Sequence, residues 1–217
     1  MSQNLESRAA FESHFVGFLY RQWLMHRKPY PAGTTLAGQT AIVTGSNSGL
    51  GFESARQLLQ LGLSHLVMAV RSQARGDAAA DKLRKEFPNS AVSVWLLDME
   101  SYDSVAAFAT RCETLSRIDI VILNAGLRSD KFNVLKATQH ELTYQVNYLS
   151  TALLAILLLP VLKSKKAPSS VLPPRLTIVS SDTAYWPVPF KTTGPILSQF
   201  DEPALFEPMR NYRCTKL

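Results

Sequence analysis

At 217 residues, with 46% apolar and 18% charged side chains, the chain can bury one full core and falls outside the disordered and fibrous classes. Its formal charge of +6 comes from scattered basic residues, which argues against nucleic acid and leaves anionic ligands or an anionic membrane surface as partners. Two widely separated cysteines, Cys112 and Cys214, make neither a disulfide framework nor a zinc site, so a reducing, cytoplasmic setting is expected.

No basic stretch followed by a clean apolar core opens the chain, so no secretory signal is expected. Phe11, Phe15, Phe18, Leu19 and Trp23 recur at helical spacing and predict an amphipathic helix in an N-terminal extension, residues 1–35. Such a helix either docks on its own domain or lies on a membrane surface, and docking is the expected arrangement. The main domain, residues 36–217, opens with a predicted strand over 39–43 (QTAIV) and a helix over 49–61. A strand over 65–70, a charged helix over 74–87, a strand over 92–97 and a helix over 101–115 follow. The next strand, 118–123 (IDIVIL), runs into Asn124-Ala125-Gly126, and helical patterns then cover 140–162. The apolar part of that segment, 151–162, is too short to span a bilayer and reads as a core or dimer-interface helix. Residues 163–174, with Lys163, Lys165 and Lys166, read as a solvated loop before a strand over 176–179. Residues 181–209, carrying Pro187, Pro189, Pro195, Pro203 and Pro208, are irregular, and 211–217 begins a helix. This alternation predicts βαβ units in a doubly wound parallel sheet, whose ligands bind beyond the carboxyl ends of the strands.

The candidate motifs fall at those ends. Thr44-Gly45-Ser46-Asn47-Ser48-Gly49-Leu50-Gly51 joins the first strand to the first helix. Glycines let the chain bend sharply and let a pyrophosphate approach bare backbone, while the helix N-terminus attracts the anion. A tight turn built for steric reasons uses glycines too, but the place after the first strand favours a dinucleotide. Tyr212 and Lys216 stand four residues apart, so on a helix they share one face. A phenol titrates near about 10, and an ammonium beside it favours the phenolate.

The turn spacing is T-G-x-x-x-G-x-G. With Asp98, Asn124-Ala125-Gly126, Asn147, Ser180-Ser181 and Tyr212-x-x-x-Lys216 in order, the chain from about Leu36 onward resembles the short-chain dehydrogenase/reductase family. The resemblance implies a Rossmann-like α/β fold with strand order 3-2-1-4-5 and a nicotinamide-dependent oxidoreductase. It implies that Gly45, Gly49 and Gly51, with Ser46, Asn47, Ser48 and Leu50, wrap the pyrophosphate. Asp98 would meet the adenine edge, and Asn124, Ala125 and Gly126 would steady the strand beside the cofactor. Tyr212 would protonate a carbonyl oxygen, and Ser181, in preference to Ser180, would hydrogen-bond it. Asn147 would hold a water in the proton path toward Lys216. Arg71 ends the second strand, where NAD enzymes usually place a carboxylate; its guanidinium suits the 2′-phosphate of NADP, with help from Arg75. A solvated Arg71, with NAD as the cofactor, is the alternative.

The long interval from Ser181 to Tyr212, with Tyr185, Trp186, Phe190, Phe200 and Phe206, resembles the retinol-dehydrogenase-like branch. The N-terminal extension is similar to that of its fungal members, many of which serve secondary metabolism. Aromatic walls of this kind suit a lipophilic alcohol or ketone. Family members often dimerise through the helices after the fourth and fifth strands, so a homodimer is an implied partner. In the family further strands and a substrate-covering lobe follow the Tyr–Lys helix. The sequence is expected to lack them, leaving the fifth strand an exposed edge and Lys216 on a short, frayed helix end. Two readings follow: an active NADP-dependent oxidoreductase, or an inactive remnant that binds a nucleotide or a partner.

Overall fold

Five short apolar runs lie side by side as β1 (Thr40–Thr44), β2 (His65–Val70), β3 (Ala91–Leu96), β4 (Ile120–Leu123) and β5 (Arg175–Ile178). In the computed structural model, which describes residues 10–11, 13–25, 29–167, 173–186, 190 and 194–216, they form one parallel sheet. Its order is β3-β2-β1-β4-β5, as the family resemblance implies. Pro187, Pro189 and Leu217, and thirteen positions of the N-terminal extension (1–9, 12 and 26–28), lie outside the described residues. β1 is buried along its whole length because helices cover both faces, which is why it reads as an unbroken apolar run. β5 stands at one end of the described sheet, with Ile178 exposed. The winding reverses between β1, paired with β2, and its other neighbour β4. The crevice beyond those two strand ends is therefore the switch point where such sheets bind ligands.

Side chains alternate across the sheet and build two cores. Ala41 and Val43 of β1 pack with Ala55 and Leu59 of α2 (Gly49–Gln60) and Leu83 of α3 (Gln73–Glu86). Ile42 points the other way, toward Phe108 of α4 (Tyr102–Cys112) and Leu154 and Leu158 of α5 (Leu142–Ser164). α4 begins where Ser101 accepts the Ser104 N–H at 3.2 Å, a side-chain N-cap.

Two sequence expectations for α5 need correction. The helix runs for 23 residues and holds an 18-residue stretch with a mean hydropathy of 1.8, so by length and composition it could cross a bilayer. What assigns it to the core is burial: Leu154 and Leu158 are 0% exposed beneath the sheet. Lys163 also lies in its last turn, not in a loop. Near its start the helix loosens into a π turn, Gln145–Leu149, and the Thr151 hydroxyl donates to the Val146 carbonyl at 3.0 Å.

The N-terminal helix α1 (Phe15–Trp23) docks on its own domain with Gly17 buried and Phe18, Leu19 and Arg21 half-buried. Arg21 and Gln22 meet the Asp182 carboxylate at 3.5 and 3.3 Å, and Phe18 packs on Trp186, whose indole N–H donates to the Ser13 carbonyl at 2.6 Å. The docking partner is the short 3-10 turn Asp182–Tyr185, and its carboxylate selects the face carrying Arg21 and Gln22. Phe15, Val16 and Trp23 are left exposed.

Cys112 is sealed between α4 and the sheet, and burial pushes its thiol up to about 12. Its contribution to stability is complete below the ordinary value of 9.0 and is lost as pH rises toward about 12, because the unfolded chain ionises first. Urea unfolding across that window should show stability falling with pH, and Cys112→Ala should remove this part of the slope.

Candidate active site

A cleft of about 790 Å³ opens beyond the carboxyl ends of the central strands. One end is the glycine-rich turn between β1 and α2. A Cβ on Gly51 would stand 2.4 Å from the Gly45 carbonyl oxygen and 2.5 Å from Asn124 Nδ2, so the first turn of α2 touches the end of β1 directly. Gly49 has φ +56° and nothing within 4 Å of a built Cβ, which leaves bare backbone over open space. Ser48 stands at the N-cap without a side-chain cap bond, so its hydroxyl leaves the first N–H groups of α2 to a ligand. The Ser46 hydroxyl is fully buried in this turn without a hydrogen-bond partner among the described residues.

The end of β4 is stitched to that turn. The Thr44 hydroxyl accepts the backbone N–H groups of Asn124 and Ala125, each at 2.9 Å, and Asn124 Nδ2 donates to the Thr44 carbonyl at 3.1 Å. Asp98 lines the cleft with one carboxylate oxygen accepting the Glu100 N–H at 3.0 Å. Arg71 lines it too, but is not a bare cation: its guanidinium is paired with the Glu100 carboxylate. Arg75 faces an adjoining groove, shared with Lys82, that also touches Asn47 and Ser48.

At the other end stands α6 (Pro208–Thr215), begun by Pro208 and by Glu207, whose carboxylate accepts the Met209 N–H at 3.0 Å. Tyr212 and Lys216 share a face, with Lys216 Nζ 5.9 Å from the Tyr212 ring centre. The lysine is not frayed. Its ammonium donates to the Val179 carbonyl at 3.1 Å, and its own carbonyl accepts the Ser180 hydroxyl. Burial lowers its pKa. Asn147, in the π turn, bonds both backbone groups of Leu127 at 2.8 Å and donates to Thr215 Oγ1 at 3.1 Å. Asn147 Oδ1 and Lys216 Nζ converge over Gly126, each 3.1 Å from where a Cβ would stand. Both amide hydrogens of Asn147 are thus committed, and only its oxygen faces the Lys216 side.

Of the residues expected here, Gly45, Asn47, Ser48, Leu50, Arg71, Asp98, Asn124, Ala125, Gly126, Tyr212 and Lys216 line one cleft. Ser46, Gly49, Gly51, Asn147 and Ser181 are not among its lining residues. Ser180 lines it instead of Ser181, whose hydroxyl accepts from Thr183 N and Oγ1 at 3.2 and 2.9 Å and caps the following turn. Neighbours in extended backbone point opposite ways, so only one of the two serines faces the cleft. The expected aromatic wall is absent among the described residues. Tyr185 and Trp186 hold α1, Phe206 packs on Phe132, and Phe190 and Phe200 pack under Tyr144. Sequence reading missed Glu100 and Thr215; the latter stands inside the Tyr–Lys motif, but nothing local shows that it meets Asn147.

The short chain dehydrogenase profile matches residues 39–181. The chain belongs to this family. Short chain dehydrogenase virL of Hypocrea virens is 58% identical over 217 residues, all of this chain and 63% of that one. Short chain dehydrogenase/reductase mfmJ of Annulohypoxylon moriforme is 48% identical over 206 residues, 94% of this chain and 59% of its own length. The chain thus spans less than two thirds of either relative. The short-chain dehydrogenase of Sphingobium yanoikuyae in complex with NADPH superposes with a TM-score of 0.60 at 24% identity, covering 82% of this chain and 60% of that one. RhlG/NADP of Pseudomonas aeruginosa gives 0.61 at 22%, over 84% and 62%. Both structures share the fold. The short-chain dehydrogenase family reading made from the motifs therefore stands.

Gly51→Ala should drive the new methyl into the Gly45 carbonyl and dislodge Asn124. We expect a loss of about 1–3 kcal/mol in denaturant unfolding and at least tenfold weaker nucleotide binding by calorimetry.

Proposed function

We propose that this chain carries the cofactor-binding and proton-handling parts of an NADP-dependent oxidoreductase that interconverts a ketone or aldehyde and an alcohol on a lipophilic small molecule. The observation that carries the reading is the convergence of Lys216 Nζ and the Asn147 amide over Gly126, beside Tyr212, in the same cleft as the bare glycine turn. The donor set suits a nicotinamide dinucleotide: unblocked N–H groups at the start of α2, the exposed backbone of Gly49, and Asp98 with one carboxylate oxygen facing no described partner. Bound in reduced form, that cofactor supplies the hydride.

The chain's own residues bind, orient and move the proton. The α2 amides hold the pyrophosphate, Asp98 the adenine edge, and Arg71 a 2′-phosphate. Tyr212 donates its phenolic proton to the carbonyl oxygen. The Lys216 ammonium, fixed by Val179 and by the carbonyl bond from Ser180, favours the resulting phenolate. Ser181, the serine the family resemblance assigns to that oxygen, stands off the cleft wall and caps the next turn, while Ser180, which lines the cleft, donates to the Lys216 carbonyl. Leu127, Val146, Val179 and Met209 line the cleft near Tyr212 and supply the apolar surface a lipophilic substrate needs. The fungal relatives, the first aligned over all 217 residues and so over the N-terminal extension too, support a role in fungal secondary metabolism.

Absorbance loss of NADPH with a panel of lipophilic ketones tests this. Tyr212→Phe should lower turnover by about 10²–10⁴ without weakening NADPH binding. The second reading is an inactive remnant that at most binds a nucleotide or a partner. Nucleotide binding without turnover by the native chain would select it.

The outer face of α1 adds a partner to this proposal, an anionic bilayer surface. Phe15, Val16, Trp23, Leu24 and Met25 are exposed together, and Arg27 and Lys28 follow them in sequence. The chain should co-sediment with anionic vesicles, and the double variant Phe15→Ser/Trp23→Ser should not; a native chain left in the supernatant would rule the surface out.

A further inference from the structure

We infer that Glu100 sets how strongly this cleft prefers a 2′-phosphorylated nucleotide, acting as a counter-ion held on Arg71. The inference rests on the nucleotide site proposed above and concerns a residue to which no motif assigns a role.

Arg71 follows β2 and Glu100 follows β3, so parallel pairing of the two strands brings their ends together; Val70 pairs with Leu96. There the guanidinium and the carboxylate form a direct ion pair at the cleft wall. Arg71 remains largely exposed, its side chain at 60%, whereas the Glu100 side chain is at 27%. Glu100 is the better anchored partner. Its backbone N–H donates to Asp98 at 3.0 Å, on a segment also tied down by the Asp98 N–H to Ser104 Oγ at 2.9 Å. The carboxylate is therefore a fixed feature of the ribose end of the cleft, and Arg71 leans on it.

The consequence is electrostatic. A phosphate dianion approaching Arg71 meets a cation that is already neutralised and a like charge on the same guanidinium. Five N–H donors allow Arg71 to hold both anions, so the phosphate is admitted at a cost. A ribose 2′-hydroxyl faces the opposite balance, because the Glu100 carboxylate can accept its proton in a hydrogen bond. Glu100 thus narrows the gap between the two nucleotides from both sides. Arg75 and Lys82, lining the adjoining groove with Asn47 and Ser48, supply positive potential that keeps the phosphate admissible. Arg71 alone marks a 2′-phosphate site; the pair makes a weakly discriminating one.

The test is calorimetric titration of the full chain with 2′,5′-ADP and with 5′-AMP, which reads binding apart from turnover. Glu100→Gln keeps the shape and removes the charge. It should tighten 2′,5′-ADP by about tenfold at low salt and leave 5′-AMP unchanged or weaker, with the gain shrinking as salt rises. Adding Arg71→Ala to Glu100→Gln should abolish the gain. If both nucleotides bind and Glu100→Gln leaves their affinity ratio unchanged or lower, the inference is wrong while the nucleotide site stands. If the native chain binds neither, the site itself fails and the inference with it.

Discussion

The Thr44 hydroxyl and the Asn124 amide bridge two strands at the point where the sheet reverses its winding. Beyond a strand end the backbone N–H groups lose their ladder partners, and a buried donor without an acceptor is costly. Thr44 Oγ1 accepts two such donors from Asn124 and Ala125, and Asn124 returns a bond to the Thr44 carbonyl. Gly51 then packs against the same carbonyl layer, which aims the N-terminus of α2 into the cleft. Were this stitch loosened, neither the bare turn nor the wall at Gly126 would hold its place.

The end of the cleft at Tyr212 and Lys216 depends on a second set of ties. An eight-residue helix has little stability of its own. α6 is held by its Glu207 cap and by Asn147 reaching Thr215. The contacts of Lys216 with Val179 and Ser180 secure its far end. The π turn places Asn147 for this task, between the Leu127 backbone and α6. Desolvation of the lysine follows from the same packing, so its lowered pKa and its position have one cause. The Tyr144, Phe200 and Cys214 cluster buttresses α6 from behind. Aromatics that suggested a substrate wall thus carry structural load instead.

Charge in the cleft is balanced locally rather than set by the basic surplus of the whole chain. Arg71, Arg128 and Lys216 line it together with Asp98 and Glu100. A formal charge of +6 belongs to the whole chain, yet at this wall of the cleft Arg71 already carries a local counter-charge in Glu100.

The sequence by itself determined the α/β class, the parallel strands and the cofactor turn. Unbroken apolar runs such as TAIVT demand burial on both faces, and glycines at Gly45, Gly49 and Gly51 mark backbone that must bend or be approached closely. It also placed Tyr212 and Lys216 on one face, since spacing along a helix is a local property. Only the tertiary structure decided which serine faces the cleft, what Arg71 pairs with, which face of α1 docks and what the late aromatics touch. Each of those depends on a partner far away in the chain, as Glu100 is to Arg71 and Asp182 to Arg21. No local pattern encodes such a pairing, because it exists only once the strands have taken their register.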